Sequence, residues 1–110
     1  MSAISTHVLD TSRGAPAPGV PVVLEHRSSD GWEALGSGAT DADGRARDLG
    51  PDEATAGTYR LTFDTGAYFD ASGAPGFYPE VAIVFAVCAG QHYHVPLLLN
   101  PYGYSTYRGS

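Results

Sequence analysis

The sequence predicts an all-β sandwich. Fourteen glycines and eight prolines are spread along 110 residues, and they separate short runs rich in β-branched and aromatic side chains. Eight such runs fit two packed four-stranded antiparallel sheets sharing one core, so residues 1–110 are expected to form a single domain.

Taken in order, the strands are expected over 5–10, 20–28, 32–40, a short piece near 45–49, 58–64, 80–87, 92–99 and 102–108. The stretch Arg13-Gly14-Ala15-Pro16-Ala17-Pro18-Gly19 is expected to be a loop, since two prolines and two glycines defeat regular structure. Ser29-Asp30-Gly31 lies between two strand patterns and reads as a hairpin turn, and Asp41-Ala42-Asp43-Gly44 reads as another turn. One short helix is expected over 64–71, with Asp64 or Thr65 to cap its start and Gly73 beyond its end.

Bulk properties narrow the function. A net charge of −6 and a pI near 4.8 argue against nucleic acid or an anionic membrane as a partner; there is no lysine, so all six basic residues are permanently charged arginines. Cys88 is alone, so no internal disulfide forms and no cysteine cluster holds zinc; its setting, Phe85-Ala86-Val87-Cys88-Ala89, predicts a thiol in the core. The first nine residues lack the basic start and apolar run of a secretory signal, and no segment reaches membrane-span length. The expected compartment is the cytoplasm. No Gly-x-Gly-x-x-Gly phosphate loop and no Gly-x-Ser-x-Gly nucleophile turn exists. Asp41-Ala42-Asp43-Gly44 begins like a calcium loop, but position 50, where the glutamate ligand would stand, is Gly.

Alternation along 92–99 puts Tyr93, Val95, Leu97 and Leu99 on the core face and His92, His94, Pro96 and Leu98 on the other. An outward face that mixes histidine with leucine hints at a subunit interface. His7 and Leu9 form the same mixture on the first strand, opposite Val8. His26, between Glu25 and Arg27, reads as a surface residue. A His-x-His strand plus a third histidine is also compatible with a zinc site. Arg45 and Arg47 share a face after the Asp43-Gly44 turn. Each either pairs with Asp41, Asp43 or Asp48 or presents a planar fork to a carbonyl or imide. The final Tyr107-Arg108-Gly109-Ser110 follows strand-like sequence directly and is a candidate part of a site.

Several segments together resemble one family. These are Thr6-His7-Val8-Leu9-Asp10-Thr11-Ser12-Arg13-Gly14 with Pro16, Thr40-Asp41-Ala42-Asp43-Gly44-Arg45, Phe77-Tyr78-Pro79-Glu80-Val81, the stretch from His92 to Leu99, and Ser105-Thr106-Tyr107-Arg108-Gly109-Ser110. Across nearly the whole chain they resemble the transthyretin-like family, and within it the branch of 5-hydroxyisourate hydrolases. Transthyretin itself carries lysine where His7 stands and lacks the Tyr-Arg-Gly-Ser ending. The resemblance implies a transthyretin-like sandwich assembled as a homotetramer, a dimer of dimers, with sites in a channel between dimers. It implies hydrolysis of a small oxidised purine without metal or other cofactor. His7, Arg45 and His94 would be catalytic, and Tyr107, Arg108 and Ser110 would join His7 and Arg45 in binding substrate. A non-catalytic carrier of a small ligand in the same channel is the alternative.

Overall fold

The computed structural model describes residues 2–109. Its strands are β1 (Ile4–Asp10), β2 (Ala15–Pro16), β3 (Pro21–Ser28), β4 (Gly31–Ala39), β5 (Arg45–Ala46), β6 (Gly57–Phe63), β7 (Val81–Val87), β8 (Tyr93–Asn100) and β9 (Gly103–Thr106); the helix α1 (Thr65–Ser72) lies between β6 and β7. One sheet runs β2-β1-β8-β9, with β5 beside β2 along the same edge of β1; the other runs β4-β3-β6-β7.

The sandwich is as expected, but the first sheet differs in two respects. It has five strands, because Ala15–Pro16 pairs with Leu9 and Asp10 inside the stretch expected to be only loop. Proline is tolerated there because β2 lies at the sheet's edge. Its central pair, β1 and β8, is also parallel. A parallel neighbour requires a long crossover, and here the chain builds the entire second sheet and α1 before it returns as β8.

Alternation places the core. Ile4, Thr6, Val8 and Asp10 of β1 are buried, whereas Ser5, His7 and Leu9 are half-buried on the outer side. Tyr93, Val95, Leu97 and Leu99 of β8 point inward with them and meet Val22, Leu24, Leu61 and Phe63 from the second sheet. Each fully buried leucine or phenylalanine is worth about 1.5–3 kcal/mol relative to exposure.

Asp64 caps α1 by accepting from the Ala67 N–H at 3.0 Å, and Gly73 ends it in the left-handed conformation. The helix buries Thr65, Tyr68 and Phe69. Tyr68 donates from its hydroxyl to Asp10 at 2.7 Å, which fastens α1 to β1. The buried Asp10 carboxylate also accepts from the Ser12 hydroxyl and from the Ser12 and Arg13 N–H groups. Burial alone would raise its pKa, but these hydrogen bonds outweigh burial and hold it below the usual carboxylate value.

Cys88 is exposed, not in the core. β7 ends at Val87, and position 88 continues the outward set of Ala82, Val84 and Ala86. The last strand stops at Thr106, so Tyr107 and Arg108 lie beyond it; pairing resumes only as a single bridge between His94 and Gly109.

Candidate active site

Three elements of the first sheet converge on its outer face. His7 sits mid-strand on β1, directly opposite Arg45 of β5. The turn before β5 fixes this pairing. Asp41 accepts through Oδ1 from the N–H groups of Asp43 at 2.9 Å and Arg45 at 3.0 Å, and the Gly44 N–H closes onto the Asp41 carbonyl. The Arg45 N–H is the main reason that the Asp41 carboxyl lies below its ordinary pKa. Gly44 has φ of 76°, and a Cβ there would stand 2.4 Å from the Val8 carbonyl oxygen, so only glycine lets the turn press against β1.

The same turn positions the imidazole. His7 donates from Nε2 to the Asp43 carbonyl at 2.9 Å. A carbonyl only accepts, so Nε2 carries a hydrogen, and Nδ1 has no hydrogen-bond partner among the described residues. The Arg45 guanidinium has no ion-pair partner among the described residues, although Asp41, Asp43 and Asp48 are close in sequence.

His94 enters from β8. The parallel register sets it beside Ser5, and its Nδ1 lies 2.9 Å from the Ser5 hydroxyl oxygen. Its ring centroid is 6.4 Å from that of His7, with the planes tilted by 38°. Partial burial, with the Arg45 and His7 charges adding to it, lowers the His94 pKa below the usual value. The ring is therefore neutral at neutral pH, able to accept a proton.

The tail reaches one of these histidines through its backbone. The Gly109 N–H donates to the His94 carbonyl at 2.8 Å, and a Cβ on Gly109 would come within 2.7 Å of His94 Cδ2. Beside them opens a cavity of about 250 Å³ lined by Ser5, Arg47, His92, His94 and Gly109, among others. His92, left outside β8, thus reaches the edge of the site.

Tyr107 and Arg108 turn elsewhere. Both line a second cavity of about 280 Å³ formed with Val84, Phe85 and Val95. Arg108 stacks its guanidinium 4.6 Å over the Tyr93 ring and donates to Gln91, and the Tyr107 side chain is exposed. Within one chain the structure thus joins His7, Arg45 and His94 but does not bring Tyr107 and Arg108 to them. Ser110 lies outside the described residues. Sequence reasoning missed Ser5 and the Asp43 carbonyl. The first contact exists only through the parallel register, and the second is a backbone atom, which no residue type announces. Among the described residues, no three His, Cys, Asp or Glu side chains are grouped as metal ligands.

Known proteins share the fold and much of the sequence. The model of the HIUase/Transthyretin family matches residues 4–109. The chain is 51% identical over 109 residues to a 5-hydroxyisourate hydrolase of Salmonella dublin, covering 97% of this chain and 80% of that protein. The solved structure of the Klebsiella pneumoniae 5-hydroxyisourate hydrolase superposes with a TM-score of 0.86 at 41% identity, over 97% of this chain and 98% of the other. Sea bream transthyretin in complex with thyroxine superposes with a TM-score of 0.90 at 32% identity, over 97% and 94% of the two chains. Backbone likeness alone therefore does not separate the two kinds of relative.

Proposed function

Because this chain belongs to the HIUase/Transthyretin family, we propose that it is a single-domain hydrolase of 5-hydroxyisourate acting in urate degradation. The observation that carries this reading is the meeting of His7, Arg45 and His94 on one face of one sheet. Relatives carrying the hydrolase name at about half identity support it.

The reaction opens the six-membered ring of an oxidised purine at its N1–C6 bond. Its product is 2-oxo-4-hydroxy-4-carboxy-5-ureidoimidazoline. Water needs a base, and the two imidazoles each keep one ring nitrogen free of partners among the described residues. The neutral state of His94 suits it to that role. Arg45, with no ion pair among the described residues, offers two parallel donors to a carbonyl oxygen and to the oxyanion that develops there. No metal enters this scheme.

Tyr107, Arg108 and Ser110 complete the pocket in a homotetramer, each tail lining a channel shared with a neighbouring copy. Tyr107 and Arg108 line a cavity apart from His94 within one chain, which fits such sharing, as do the exposed Val84 and Tyr107 side chains. Among the described residues no helix is long and apolar enough to cross a membrane. The reading as a urate-degrading enzyme carries with it a place in the cytoplasm.

The deciding experiment follows the ultraviolet absorbance of freshly prepared 5-hydroxyisourate. The protein is expected to accelerate its decay over buffer; equal rates would defeat the hydrolase reading. They would favour the carrier that the thyroxine-bound relative suggests. Activity is expected to survive prolonged chelation, and a loss that zinc restores would overturn the metal-free scheme.

A further inference from the structure

We propose that Ser5 is a positioning residue for His94, holding the imidazole through Nδ1–H so that the Nε2 lone pair faces the reacting water. The inference rests on the hydrolase reading. Ser5 and His94 are 89 residues apart in sequence, yet they are register partners across β1 and β8, with Oγ 2.9 Å from Nδ1. Among the described residues the Ser5 hydroxyl has no other hydrogen-bond partner.

The two histidines differ in what holds them. His7 gives its Nε2 hydrogen to the Asp43 carbonyl, which cannot donate back. His94 faces a hydroxyl, which can accept from Nδ1–H whether the ring is neutral or charged. If His94 is to take a proton at Nε2, its hydrogen must first sit on Nδ1, and Ser5 is the group placed to receive it.

The proton count closes on this arrangement. Nε2 takes a proton from water as the water oxygen bonds to the carbonyl carbon and the carbonyl electron pair moves onto oxygen. The imidazolium then keeps both hydrogens, with Nδ1–H still given to Ser5. Collapse of the oxyanion breaks the C–N bond, and Nε2–H passes the proton to the departing nitrogen, restoring the starting ring. The charged or titratable groups around His94 are His7 from β1, Arg45 from β5, and Arg47 and His92 at the rim of its cavity. None of them contacts Nδ1 among the described residues.

Two measurements test the role. The first is the ¹⁵N spectrum of the His94 ring in the full chain. The wild type is expected to show the Nδ1–H tautomer, and Ser5→Ala to shift it toward Nε2–H. The second is turnover of fresh 5-hydroxyisourate. Ser5→Ala is expected to lower kcat at least about tenfold with KM within about twofold, and Ser5→Thr to restore most of the rate. A wild-type Nε2–H tautomer, or a ring spectrum unmoved in Ser5→Ala, would overturn the proposal. So would a rise in KM alone, or equal losses in both variants matched by equal falls in Tm. If the wild type fails to turn over 5-hydroxyisourate, the functional reading falls, while the ring spectrum still decides the tether.

Discussion

At the scale of single residues, His94 sets the pH response. Partial burial and the neighbouring Arg45 and His7 charges disfavour its protonated form, so its pKa is lower folded than unfolded. Activity is therefore expected to hold through the neutral range and to fall only below the ordinary histidine value of about 6.5. A pH profile of kcat/KM checks this. The sign for stability is the same. Below about 6.5 the unfolded chain takes up the proton more readily, so this group's contribution is lost as pH falls toward the folded pKa. His7→Ala, His94→Ala and Arg45→Ala are each expected to lower kcat/KM at least about tenfold. Arg45→Lys should rescue little, because an ammonium cannot present two parallel donors. Gly109→Ala tests the close approach of the tail. Its Cβ would press to 2.7 Å on His94 Cδ2, so the expected result is a lower kcat with little change in Tm, read by paired kinetics and thermal melts.

At the scale of elements, the Asp41–Gly44 turn holds two functional side chains at once. Its Asp43 carbonyl receives His7, and its Asp41 carboxylate receives the Arg45 N–H. Asp41→Ala is expected to reduce kcat by displacing both, even though Asp41 is exposed and touches neither side chain's functional group. Asp64→Ala gives the matching control. It removes the α1 cap and should cost about 1 kcal/mol of stability without changing turnover. Much of this level was legible in the sequence. The alternation of β8 separated His94 from Leu97 and Leu99, and the Asp-x-Asp-Gly turn announced β5. What stayed hidden depended on partners rather than on patterns. β2 exists because β1 offers an open edge, and the direction of β8 beside β1 follows from the path of the chain between them. Cys88 sat in an apolar run whose strand ends one residue earlier. Tyr107 and Arg108 could be named as special, but their direction away from His94 depends on where β9 stops.

At the scale of the whole molecule, Asp10, Tyr68 and Arg13 join the first strand to the helix that leaves the opposite sheet. Tyr68→Phe is expected to cost about 1–3 kcal/mol by removing a donor from a buried carboxylate. Because the folded pKa of Asp10 is depressed, its stabilising effect is complete above the unfolded value of about 3.9 and fades as pH drops through the folded one. Acid denaturation of the variant and the wild type should therefore converge at low pH. Removing Tyr107 through Ser110 is expected to leave the core intact, since Leu97 and Leu99 already fill it, and to abolish turnover. A folded, fully active truncation would show that the tail has no part in the site. The parallel seam between β1 and β8 also sets an order of events during synthesis. Ser5 emerges from the ribosome long before His94, and β1 cannot gain its central partner until most of the chain has followed. Such non-local pairing is slow to form and leaves strand edges open while it waits. A nascent chain stalled after β7 should accordingly bind no substrate and be sensitive to protease, with β1 protected only once the seam has closed.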